Sequence, residues 1–114
     1  MYEIRMRNET ATDFRVWGNL ATIEPVRELI SAYCAYFLSR PPKQNVFVTI
    51  DEGTNIPFEQ MFKVCTSIKA FHNKYKLIDA VNIYMSDKRI ARCCRCLMHI
   101  ISPTVPVNIL LKPA

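Results

Sequence analysis

The sequence predicts a single α/β domain with a mostly parallel sheet and an antiparallel N-terminal hairpin. Three observations lead there. The first residues alternate strictly between apolar and polar. Short apolar runs then alternate with longer stretches of helical periodicity. Each helical stretch is bounded by proline, glycine or a capping residue. The chain has 114 residues, a length that suits one domain over 1–114 and that needs neither metal nor disulfide to fold.

Tyr2, Ile4 and Met6 alternate with Glu3, Arg5 and Arg7, which is the period of a half-exposed strand. The polar stretch Asn8–Asp13 reads as a turn. Phe14–Trp17 reads as a second strand, ended by Gly18-Asn19. Val26, Leu29, Ile30, Tyr33, Phe37 and Leu38 then recur at helical spacing, predicting a helix over Glu24–Ser39 with Thr22 or Glu24 as cap. Pro41-Pro42 stops it.

Asn45–Asp51 is almost continuously apolar, the pattern of a strand covered on both faces. After a loop at Glu52–Asn55, Pro57 opens a helix running to about Lys74. Its apolar stripe is drawn through Phe58, Met61, Phe62, Cys65, Ile68 and His72. Leu77–Met85 is another apolar strand. Ser86 is read as the N-cap of a third helix, Asp87–Ile101, and Val107–Leu111 as the last strand. The order is β-β-α-β-α-β-α-β. Alternating strands and helices imply right-handed crossovers between parallel strands.

Two stretches, "VFVTIDEGTNIPFEQ" (Val46–Gln60) and "VNIYMSDKRIAR" (Val81–Arg92), together with the element order over nearly the whole chain, resemble the STAS domain, the fold of bacterial anti-sigma-factor antagonists. The resemblance implies a protein-binding module. Regulatory STAS domains are phosphorylated on a serine at the start of the second helix, and this chain has no serine there. Thr54 is the nearest hydroxyl, and Glu59 offers a carboxylate where a phosphate charge would stand. The family's phospho-switch is therefore not expected to operate.

Formal net charge is +5. Such an excess suits an acidic protein, a nucleic acid or an anionic surface. No apolar run reaches the roughly 20 residues of a membrane span, and no signal peptide is evident at the N-terminus. The odd count of five cysteines (Cys34, Cys65, Cys93, Cys94 and Cys96) then reads as reduced thiols in an intracellular, cytoplasmic protein.

The densest stretch is "RCCRCLMH", residues 92–99. On a helix, Arg92, Arg95 and His99 fall within about 40° of Lys88, making a basic stripe with Arg89 beside it. Cys94 falls on the opposite, apolar side and Cys93 at its boundary. Cys96, at about 80° from Lys88, lies between Arg92 and Arg89. It is the candidate reactive thiol, since neighbouring cations favour a thiolate. A tetrahedral zinc site needs four ligands, and only Cys93 and Cys96 pair by spacing, so no metal is expected.

No catalytic constellation is legible either. His72 and His99 are the only histidines, and neither adjoins a nucleophile elbow or a glycine-rich phosphate loop. Asp51, Glu52, Thr54 and Asn55 follow a predicted strand, where α/β ligands bind, but caps and solvated carboxylates account for them.

The sequence thus points to a non-enzymatic interaction module without a cofactor. Its expected partner-binding residues are Thr54, Asn55 and Glu59 at the second helix and Lys88, Arg89, Arg92, Arg95 and His99 on the third. The expected partner is a protein with an acidic surface. Nucleic acid is not expected, because few aromatics interleave with the charges for base stacking. An oligomer is compatible with the composition. Two other classes fit it as well. One is a structural subunit of a large assembly, such as a virion or organelle complex, presenting Trp17. The other is a phosphorylation- or nucleotide-regulated switch at Asp51–Glu59.

Overall fold

The structure, a computed structural model, describes residues 1–111. Residues 112–114 of the expected domain lie outside the described residues. The elements are β1 (Tyr2–Asn8), β2 (Ala11–Val16), α1 (Ile23–Leu38), β3 (Gln44–Ile50), α2 (Phe58–Tyr75), β4 (Ile78–Met85), α3 (Lys88–Ile101) and β5 (Val107–Leu111). One five-stranded sheet takes the order β1-β2-β3-β4-β5. The β1–β2 pair is antiparallel and the other three pairs are parallel. The expected α/β class, element order and mixed sheet are all present.

The hairpin turn is tighter than Asn8–Asp13. The Asn8 side chain accepts from the Thr10 amide at 2.9 Å, an Asx turn that lets pairing resume at Ala11.

Because the strands follow one another across the sheet, right-handed crossovers place every helix on the same face. The packing agrees. Phe14, Val46 and Val81 of the sheet share one core cluster with Val26, Tyr33 and Phe37 of α1 and Phe71 of α2. Met85 shares a second cluster with Met61 of α2 and Ala91, Cys94 and Leu97 of α3. The fold is therefore two-layered, with the helices on one side of the sheet and the other side open.

That corrects the reading of residues 45–51. β3 is covered on one face only, and its apolar run conceals an alternation. Val46 is fully buried toward the helices, whereas Phe47 is half-buried on the open face. Phe47 is shielded there by the Arg7 guanidinium, 4.1 Å from its ring centroid. Arg7 also pairs with Asp13, and Arg15 with Asp51, through Nε contacts of 3.2 and 3.0 Å. Arg15 lies 5.2 Å from the ring centroid of Trp17, which is half-buried rather than presented. Asn108 donates to Asn82 at 3.0 Å. The open face is thus laced with its own polar pairs, the pattern of a solvated sheet surface.

Two further expectations change. The inward stripe of α2 runs through Met61, Val64, Cys65, Ile68, Phe71 and His72, while Phe58 and Phe62 stand 49% and 41% exposed. The N-cap of α3 is Asp87, not Ser86. Its carboxylate accepts from the Arg89 and Ile90 amides at 2.9 and 3.4 Å, satisfying two donors that the first turn leaves orphaned and complementing the helix dipole. Asp87→Ala should cost about 1 kcal/mol in urea unfolding, with Asp87→Asn recovering most of it. An unchanged midpoint for Asp87→Ala would refute the cap.

Candidate functional site

The parallel strands β3 and β4 end at the edge where α2 and α3 begin, the place where open α/β sheets bind ligands. The loop 51–57 is built before it is decorated. Gly53 takes φ +82°, a left-handed conformation that glycine adopts without strain. Thr54 follows, 7% exposed, and its hydroxyl donates to the Asp51 carbonyl at 2.7 Å. Asn55 pins the loop to the end of β2. Its amide donates to the Gly18 carbonyl (2.9 Å), its carbonyl accepts from Leu20 (2.7 Å), and its side chain donates to Asn19 (3.0 Å). Thr54 and Asn55 are therefore framework here, although both border the site.

Between this loop and the start of α3 lies a groove of about 450 Å³, lined by residues 53–56, Phe58, Met61, Asp87, Arg89, Ile90 and Cys93. Its floor is apolar (Ile56, Met61, Ile90). Phe58 forms an exposed apolar shoulder, and Phe62 follows one turn later on the same helix. Arg89 forms the opposite rim and leads to the outward face of α3. Glu59 is exposed on the first turn of α2.

The helical phase of α3 falls as the spacing requires. Ala91, Cys94, Leu97 and Ile101 are buried, Cys93 is half-buried and Cys96 is exposed. Lys88, Arg89, Arg92, Arg95 and His99 are all exposed. Among the described residues, the one ion pair on this face is Arg89 with its neighbour Asp87, at 4.0 Å. Arg95 donates to the Ile109 carbonyl at 3.3 Å. Among the described residues, no other ion pair neutralises this basic face.

Cys94 packs against Met61, sulfur to sulfur, at 3.4 Å. Burial pushes the Cys94 thiol up to about 12 and the Cys65 thiol up to about 11. Both therefore behave as small core hydrophobes rather than nucleophiles. His72 lies far from this edge in sequence and role. Its Nε2 shares a 2.9 Å hydrogen bond with the Tyr33 hydroxyl inside the core, and burial lowers its pKa to about 4. Among the described residues, no group of three histidine, cysteine or acidic side chains converges to hold a metal ion.

Sequence reasoning brought together Thr54, Asn55, Glu59 and the basic stripe, but it missed Phe58 and Ile90 as the apolar part of the same surface. Phe58 was hidden because an aromatic at helical spacing reads first as core. No family model, curated protein or solved structure matches this chain. Among the described residues, no helix is long and apolar enough to cross a membrane.

Proposed function

We propose that this domain is a protein-binding module, STAS-like in fold, that takes an acidic partner along the edge formed by α2 and α3. The observation that carries this reading is the continuity of two features. An apolar groove with an exposed Phe58 shoulder meets, at Arg89, a helix face bearing Lys88, Arg92, Arg95 and His99. An anchor side chain desolvated in a groove supplies affinity, and complementary charge around it supplies rate and specificity. The partner segment would place an aliphatic or aromatic residue over Ile56 and Ile90 and its carboxylates along α3.

Docking would be constitutive. The Thr54 hydroxyl is buried and spent on the Asp51 carbonyl, so a phosphate there would require the loop to open. The half-buried Cys65 and the buried Cys94, both free thiols, suit a reducing, intracellular setting.

Selection of random peptides on the full chain should enrich sequences with one large apolar residue flanked by aspartate or glutamate. Phe58→Ala should weaken the selected peptides about tenfold or more, which is the loss of an anchor contact worth about 1.4 kcal/mol. Enrichment of sequences with no acidic bias, or indifference to Phe58→Ala, would overturn the reading.

A further inference from the structure

A second cavity lies inside the domain, between α2 and the sheet, and shares only Ile56 and Met61 with the groove. Its volume is about 150 Å³, the size of an engineered apolar cavity known to accept benzene. The burial pattern reports it independently. Val48, Ile50 and Ile83 point toward the helices from the middle of the sheet and should be the most sealed residues of all. They are only half-buried, whereas Phe14 and Val46 beside them are 2% and 0% exposed. Val64, Cys65 and Ile68 on the inward side of α2 are half-buried as well. The principal neighbours of α2 are α1 and α3, so it roofs the space beneath it without filling it. Protein interiors ordinarily close such gaps, because each unfilled space forfeits dispersion contacts.

Polar groups are few in this wall. Tyr33 and His72 are spent on each other at 2.9 Å. Lys69 is the remaining charged side chain. Its stem lines the cavity and its ammonium donates to the Ile101 carbonyl, at the end of α3. An ammonium carries three donors, so two remain for a guest. Among the described residues, no carboxylate lies within ion-pair distance of Lys69.

We propose that this cavity binds a small monocarboxylate with an apolar body, the hydrocarbon under α2 and the carboxylate on Lys69. This site is separate from the protein-binding edge and does not depend on that reading.

The test is a calorimetric titration of the full chain with straight-chain carboxylates from butanoate to decanoate, with octylamine as the head-group control. Affinity should rise about fourfold per methylene, since each buried methylene contributes about 0.8 kcal/mol. It should level off once the cavity is full. Octylamine should bind at least tenfold more weakly than octanoate. Val48→Phe, which fills the cavity, should abolish octanoate binding while retaining the far-ultraviolet dichroism of the wild-type chain. Should Val48→Phe fail to fold, the chain-length and head-group series in the unsubstituted protein still decides. Absence of saturable binding at millimolar octanoate, a flat chain-length series, or equal binding of octylamine would overturn the proposal.

Discussion

Phe37→Ala should lower the unfolding free energy by about 3–5 kcal/mol, the cost of deleting a buried aromatic that leaves a cavity. Phe37 has no exposed surface. Its ring lies 4.7 Å from that of Tyr33 and 5.0 Å from that of Tyr36, and Tyr33 in turn touches Phe14 of the sheet and Phe71 of α2. One substitution therefore unseats the aromatic cluster that joins α1, α2 and the sheet. A domain of this size is stable by only about 5–15 kcal/mol, so the variant should unfold at markedly lower urea with an unchanged slope. Phe62→Ala is the matched control. That ring is 41% exposed on the outer side of α2, and its loss should shift stability by no more than about 0.5 kcal/mol. Equal losses from the two substitutions would mean that α2 is rotated from the described phase.

Acidification from pH 7 to pH 4 should cost about 2–3 kcal/mol of stability through His72 alone. The imidazole is buried against Tyr33, and burial lowers its pKa to about 4, below the value of about 6.5 in an unfolded chain. The unfolded state thus takes up the proton first. The contribution of His72 is fully present above pH 6.5 and drains away as pH falls through 6.5 toward 4. Below that, both states are protonated and no further loss accrues. His72→Gln keeps a hydrogen-bonding partner for Tyr33 but cannot titrate. The difference in stability between wild type and this variant should therefore shrink or invert across that window. Parallel pH profiles would show that the histidine is not held neutral by burial.

Much of this architecture was legible because local patterns and tertiary packing agree. The period-2 alternation in β1, the helical spacing in α1 and the prolines at 41–42 each reflect a constraint that acts within a few residues. The phase of α3 was readable for the same reason. Its apolar and basic residues occupy opposite arcs, so Cys93, Cys94 and Cys96 fall into boundary, buried and exposed positions without further information.

What stayed hidden depends on which elements become neighbours. Nothing in Asn45–Asp51 says that all three helices lie on one side of the sheet. Phe47 therefore looked like core, when a distant Arg7 covers it. In α2 two apolar arcs overlap, one through Phe58 and Phe62 and one through Val64 and Phe71, and periodicity alone could not choose between them. The choice was made by packing against α1 and α3, and it left Phe58 beside the groove. The cavity under α2 is a mismatch of volume between layers, which no single segment encodes. Ser86 and Asp87 are both good caps, and only backbone geometry separates them.

The central claim is that the α2–α3 edge recognises an acidic partner through charge complementarity around an apolar anchor. The most direct measurement is a charge-swap of affinities. A selected acidic peptide should bind the Arg92→Glu/Arg95→Glu protein at least tenfold more weakly than wild type. The same peptide with its acidic residues changed to lysine should recover most of that loss on the reversed protein, and both effects should fade as salt rises. Unchanged affinity on reversal, or a loss that the lysine peptide does not recover, would contradict the account.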